Sequence, residues 1–395
     1  MDNNCYWCCR INHYTAFVSF SKVNIMQARE WSSNRDPMIR LTKGVVESMA
    51  MSDNAKAANI LNKDDQIVIG GAGGFIAGAL ARYFHEQGFT RIRAIDKKPL
   101  PEWYQRVHGV ECLCMDLSDE DSCRRACEDA VEVYNLAADM GGMGFIERFR
   151  IECLRSILIN THMIECAYRA GAERYFFSSS ACAYNVELQK DPNCRALKES
   201  DAYPAMAERG YGWEKLMSEM FCQEYWAERG MKTAIARFHN VYGPHGTWDG
   251  GREKAPAAIC RKVIEAKDTG SHEITIWGDG SQTRSFMYID DCVLGIDMIM
   301  HCDDLIATPV NLGSSHMIAI SDLVSLAEKI GGIQLNRHHD MDAPKGVAGR
   351  NSDNTFIRSI LGWEPDTPLE DGLAQTYKWI AQQYADRKAG KRTVS

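Results

Sequence analysis

Gln66-Ile67-Val68-Ile69-Gly70-Gly71-Ala72-Gly73-Gly74-Phe75-Ile76-Ala77 runs from one apolar stretch through four glycines into another. Gln66 to Ile69 reads as a short buried strand. Phe75 to Gln87 has the apolar spacing of a helix that ends at Gly88. A glycine turn in that context lets the backbone approach a pyrophosphate, and the helix N-terminus adds amide donors and a favourable dipole. Gly71, Gly74, Phe75 and Ile76 are therefore candidate dinucleotide contacts. Arg91 to Ile95 reads as a second strand, with Asp96 at its end. A carboxylate there hydrogen-bonds ribose hydroxyls and repels a 2′-phosphate, so the pattern favours NAD over NADP.

Working outward, strands continue to alternate with helices. Ala130 to Leu136, Arg174 to Ser178 and Thr233 to Arg237 read as strands, and a helix is expected around residues 151–170. This order predicts an α/β fold, a Rossmann-type doubly wound parallel sheet whose crevice lies at the carboxyl ends of the strands. The regularity loosens after residue 240. Residues 255–267 and 320–330 read as helices, and Ile274 to Trp277 and Thr308 to Leu312 as strands, giving a smaller C-terminal α/β substrate lobe. The expected division is an N-terminal extension over residues 1–62, an NAD-binding domain over 63–240 with later crossing segments, and mainly the substrate lobe over 241–395. The extension has no regular apolar period and no secretory-signal pattern.

The chain has 395 residues and a net charge of −8, which speaks against a protein that grips nucleic acid. It has no apolar run long enough to span a bilayer, so no membrane association is expected. Most of the 15 cysteines sit singly in apolar segments, as buried thiols of a reduced, cytoplasmic protein. Cys5, Cys8 and Cys9 lack a second Cys/His pair at zinc-finger spacing, so no metal is expected.

Tyr211-Gly212-Trp213-Glu214-Lys215 is a Tyr-x-x-x-Lys. A phenol is a poor base, with a free pKa near 10. A lysine four residues on shares its helix face, and its charge, with that of a nicotinamide, favours the phenolate. Tyr211 can then take a proton from a carbinol while hydride leaves for the cofactor. Ser179 or Ser180 would hydrogen-bond the same hydroxyl.

Several longer segments carry a resemblance: Asn135 to Ile146, Ser179-Ser-Ala-Cys182, Arg237 to Pro244, Gly250 to Ala258, Trp277 to Phe286 and Gly349 to Asn354. On these the chain, over residues 64–385, resembles the extended short-chain dehydrogenase/reductases that modify nucleotide sugars, and within them the GDP-mannose 3,5-epimerases. The resemblance implies a GDP-sugar substrate, bound NAD that is regenerated in each cycle, and a homodimer paired through two long helices near 151–170 and 212–229. It implies Cys182 and Lys254 as base and acid, joined by Tyr211, Lys215 and Ser180. It adds Asp116, Ala137, Tyr211 and Lys215 to the cofactor contacts. It assigns the substrate to Gly141, Ser180, Ala181, Cys182, Asn240, Glu253, Lys254, Ala255, Lys262, Gln282, Thr283, Arg284 and Arg350, the last suited to a diphosphate by its bidentate fork. The implied reaction oxidises C4 of GDP-mannose, exchanges protons at C5 and C3, and reduces C4, giving GDP-L-galactose and also GDP-L-gulose. The chain departs from the family pattern at Gly70 and at Tyr184-Asn185, where Thr and Tyr-Pro are usual. Two other readings stay open: an epimerase or 4,6-dehydratase acting on a different GDP-hexose or heptose, and a non-catalytic NAD or sugar-nucleotide sensor.

Overall fold

The computed structural model describes residues 61–344, 346–391 and 393. The expected N-terminal extension, apart from Leu61 and Asn62, lies outside these residues, as do Cys5, Cys8 and Cys9.

The first half alternates as the sequence predicts: β1 (Gln66–Gly70), α1 (Phe75–Glu86), β2 (Ile92–Asp96), β3 (Glu111–Cys114), α2 (Glu120–Ala126), β4 (Ala130–Asn135), α3 (Met143–Arg148), α4 (Arg150–Arg169), β5 (Arg174–Ser180), α5 (Tyr211–Arg229) and β6 (Lys232–Phe238). There follow β7 (Asn240–Tyr242), α6 (Ala255–Thr269), β8 (Glu273–Trp277), β9 (Thr283–Tyr288), α7 (Ile289–Met300), β10 (Pro309–Leu312), β11 (Met317–Ala319), α8 (Ile320–Gly331), β12 (Asn336–Asp340), β13 (Gly349–Arg350), α9 (Thr355–Leu361) and α10 (Leu369–Lys388).

Seven strands form one sheet in the order β10-β6-β5-β4-β1-β2-β3. Every neighbouring pair in it is parallel. The order reverses beside β1, so the crevice opens where the glycine turn leaves the sheet. β10 returns to this sheet beside β6, although it lies far along the chain. A second sheet has β9 at its centre, paired with β7, β11 and β13, and β8 pairs with β12.

The central strands are buried on both faces, which is why they read as unbroken apolar runs. Val68, Val133, Tyr175, Phe177 and Ile235 face Met163, Ile164 and Cys222 of α4 and α5. Ile67, Ile69, Tyr134 and Phe176 point to the other side, toward Leu80 of α1 and Ile296 of α7. Each such side chain contributes about 1.5–3 kcal/mol by burial.

A polar cluster ties α7 to the sheet. His301 holds Glu132 at 3.0 Å and Asp297 at 2.9 Å, while Tyr83 donates to Asp297 at 2.7 Å and Tyr134 to Glu132 at 2.7 Å. Burial alone would lower the His301 pKa, but Asp297 and Glu132 overcome it and lift it to about 10. A pKa raised on folding stabilises most below the unfolded value near 6.5, and the gain disappears as pH rises through about 10. His301→Gln is therefore expected to lower the melting temperature at neutral pH, with the gap to wild type closing by about pH 10. A gap independent of pH would refute this.

Candidate active site

Two cavities meet at the carboxyl ends of the strands. The larger, of about 820 Å³, is lined by Gly71, Gly74, Phe75, Ile76, Asp96, Asp116, Ala137, Gly141, Ser180, Ala181, Cys182, Tyr211, Asn240, Lys254 and Arg350, among others. The smaller, of about 320 Å³, is lined by Glu253, Ala255, Lys262, Gln282 and Arg284. Cys182, Asn240, Lys254 and Arg350 line both, so the junction of the cavities is where the expected acid and base sit.

Backbone economy shapes the larger cavity. Gly71 has φ +84°, and a Cβ there would lie 2.9 Å from the Ala137 backbone. A Cβ on Gly73 would lie 2.9 Å from the Asp96 side chain. These glycines let β1, β2 and β4 present the start of α1, Asp96 and Ala137 to a single cleft. Asp96 accepts from the Lys98 amide at 3.0 Å, which fixes its carboxylate at the cleft. Asp116 is held in the same way by the Ser118 amide at 2.9 Å, which draws its pKa below the usual range. Amides at a helix start, a carboxylate and a cradle that side chains would fill together fit a dinucleotide. Gly142 does a similar service on the far side: a Cβ there would lie 2.7 Å from Glu253 O, so its absence lets the Arg252–Lys254 loop close on the cleft.

Cys182 follows β5 in a single buried turn, where its amide donates to Ser180 Oγ at 3.2 Å. The choice between the serines follows from strand alternation. Ser179 donates its hydroxyl to Glu219, which Arg237 also grips at 2.7 and 2.9 Å, whereas Ser180 faces Tyr211 and Cys182. Burial, with lesser push from Cys182 and Glu214, holds the Tyr211 hydroxyl well above its ordinary value. Lys215 does not line either cavity. It is buried, with Nζ 5.4 Å from the centre of the Tyr211 ring and 3.4 Å from Glu214 Oε2. Thr283 likewise turns away, donating to Pro192 O. Asn240 donates to Ser285 O at 3.1 Å, Lys262 to Thr275 O at 2.7 Å and Gln282 to Trp277 O at 2.7 Å.

The electrostatics of the junction are uneven. Burial, then the Glu208 carboxylate, push the Cys182 thiol up, while Arg350, Ser180 and Lys254 pull it down. Burial lowers Lys254, and Arg350 and Arg284 add to that. Arg284, cross-strand neighbour of Arg350, is brought down to about 10 by burial and then by that neighbour's charge. Lys254, Arg284 and Arg350 thus gather here with the Glu208 carboxylate, and Glu253 lines the smaller cavity beside them. Glu208 and Gln189, which hold Arg350, carry no sequence motif, and only the fold shows them.

Gly212 explains how α5 approaches so closely. A Cβ there would lie 2.1 Å from Cys182 O and 3.0 Å from its carbonyl carbon. Gly212→Ala is expected to displace Cys182, costing about 1–3 kcal/mol of stability and most of the turnover. Thermal unfolding and steady-state rates would check this, and a variant matching wild type in both would contradict it.

A doubly wound sheet with a dinucleotide turn, a Tyr/Lys pair and a thiol and a lysine at one junction fits the nucleotide-sugar-modifying enzymes that the sequence resembles. The description "NAD dependent epimerase/dehydratase family" matches residues 67–313. The chain is 41% identical to GDP-mannose 3,5-epimerase of Arabidopsis thaliana over 84% of this chain and 86% of that one. Its fold resembles UDP-glucose 4-epimerase of Thermotoga maritima with UDP-glucose, at a TM-score of 0.72 and 21% identity, covering 81% of this chain and 99% of that one. It also resembles the Thermus thermophilus UDP-glucose 4-epimerase in complex with NAD, at 0.68 and 17%, covering 80% and 98%. The chain belongs to the NAD dependent epimerase/dehydratase family, in its GDP-mannose 3,5-epimerase branch. It is an NAD-dependent epimerase. Among the described residues, no helix is long and apolar enough to cross a membrane.

Proposed function

We propose that the chain converts GDP-mannose to GDP-L-galactose, with GDP-L-gulose as a second product, by epimerisation at C5 and C3. The observation that carries this reading is the junction itself: Cys182 and Lys254 line both cavities, among buried cations that a diphosphate would neutralise. The dinucleotide occupies the larger cavity and the nucleotide end of the substrate the smaller. This corresponds to the division into an NAD-binding domain over 63–240 and a substrate lobe mainly over 241–395.

NAD, held by Gly71, Gly74, Phe75, Ile76, Asp96, Asp116 and Ala137, supplies hydride acceptance and return at the sugar C4 when bound. Tyr211 takes the C4 hydroxyl proton, with Ser180 orienting that hydroxyl and Lys215 lending positive charge through the helix. The C4 ketone makes the hydrogens at C3 and C5 acidic. Cys182 Sγ, as thiolate, removes one, and Lys254 Nζ returns a proton to the opposite face. Tyr211 then returns its proton to the C4 oxygen. The Arg284 and Arg350 side of the junction receives the diphosphate, and Gly141, Ala181, Asn240, Glu253, Ala255, Lys262 and Gln282 complete the substrate contacts.

Incubation with GDP-mannose and no added cofactor, followed by chromatography, is expected to give the two epimers without net NADH. Unchanged GDP-mannose, with turnover of another GDP-hexose, would overturn the substrate assignment.

The same reading includes a homodimer. Ile151, Leu154 and Leu158 of α4 and Trp213, Met217 and Met220 of α5 are exposed large hydrophobics at helical spacing. Such a patch calls for cover, and a second copy fits a pair of adjacent helices. Ile151→Glu with Met217→Lys is expected to halve the mass seen by light scattering. A monomeric wild type would contradict this. The buried free cysteines support a reducing compartment, the cytoplasm.

A further inference from the structure

We propose that Glu208 is a positioning residue that pins Arg350 so that its guanidinium serves the Cys182 thiol. This rests on the epimerase reading above and deepens it. Arg350 reaches the site from β13, and each of its three guanidinium nitrogens has a partner there. Nε donates to Gln189 Oε1 at 2.6 Å, Nη2 pairs with Glu208, and Nη1 donates to Cys182 Sγ at 3.5 Å. The two anchors are themselves fixed. Gln189 is wholly buried and donates to Asn185 O at 3.2 Å. The Glu208 amide donates to Cys182 O at 3.0 Å, and its carbonyl accepts from the Gly212 amide at 3.1 Å.

An arginine held at Nε and Nη2 has one direction left for Nη1, and here that direction is the sulfur. The pinned guanidinium therefore sets its charge beside the sulfur, where it stabilises the thiolate. The carboxylate that pins the arginine also lies near the thiol and opposes its ionisation. Glu208 thus acts in two opposed ways, through the pin and through its charge, and substitutions separate them. The other charged groups acting on the thiol are Arg350, Lys254 and Arg284.

The test is the rate at which iodoacetamide alkylates Cys182 in the full-length, NAD-loaded protein, read on the Cys182 peptide by mass spectrometry at one fixed pH. Glu208→Gln keeps an acceptor for Nη2 and removes the charge, so alkylation is expected to quicken by about tenfold. Glu208→Leu removes both and is expected to be slower than Glu208→Gln. Gln189→Leu loosens the other anchor without changing charge and is expected to be slower than wild type, which keeps the test open should Glu208→Leu not fold. In turnover, Glu208→Leu is expected to lower kcat with little change in KM, and Glu208→Gln to restore kcat. Equal alkylation of both Glu208 variants, an unchanged Gln189→Leu, or a raised KM with kcat intact would overturn the proposal. Alkylation needs no substrate, so a wrong GDP-sugar assignment would show as lost turnover in wild type while this order of rates stands.

Discussion

Replacing Cys182 by alanine is expected to cut epimer formation by about 10²–10⁴-fold while leaving the fold and the bound NAD in place. The side chain is small and buried, and Arg350 keeps its bonds to Gln189 and Glu208, so the local structure has little reason to collapse. What disappears is the group that removes the sugar hydrogen. Oxidation at C4 does not need the thiol, so reduced-nicotinamide absorbance should still appear on adding substrate and then persist. The pH profile should change as well. In wild type, activity rises with pH as the thiol, pushed above its ordinary value by burial and Glu208, ionises. It falls again as Lys254, lowered by burial, loses its proton. The variant's residual activity should lack the rising limb. An alanine variant with wild-type exchange at the sugar carbons would remove Cys182 from the mechanism.

Tyr211→Phe is expected to lose a comparable factor, about 10²–10⁴-fold, but with a different signature. The phenylalanine ring keeps the contacts of the buried tyrosine ring, and only the hydroxyl facing Ser180 is lost. Without deprotonation at C4 no ketone forms, and the hydrogens at C3 and C5 stay inert. This variant should therefore show neither reduced-nicotinamide absorbance nor exchange, although Cys182 and Lys254 are intact. The pair of variants thus orders the steps: oxidation first, then proton exchange. Exchange surviving in Tyr211→Phe would mean that carbanion formation does not depend on the ketone.

Much of this was legible in the chain because the determinants are local. A strand, a glycine turn and a helix occupy adjacent residues, and Asp96 closes the next strand, so the cofactor cleft could be read from one window. Tyr211 and Lys215 share a helix turn, although Lys215 supports the site from behind. Strand parity puts Ser179 and Ser180 on opposite faces, and the bond from Ser179 to Glu219 leaves Ser180 for the site. Cys182 and Lys254 were reached through resemblance, since neither neighbourhood by itself distinguishes an acid or base from a buried thiol or a surface charge. The remainder is tertiary. Arg350 meets Gln189 and Glu208 across sequence separations of 161 and 142 residues, which no local pattern encodes. Likewise β10 joins the large sheet beside β6 because of chain topology, and its apolar run does not specify a partner. β3, a half-exposed strand at the sheet edge, has no apolar run to mark it.

The most direct test of the central claim is proton NMR of GDP-mannose incubated with the wild-type protein in D₂O, with no cofactor added. The account predicts deuterium at C5 and C3 together with new galacto and gulo signals. Epimer formation with C5 unlabelled, or GDP-mannose left wholly unexchanged by NAD-loaded protein, would contradict it.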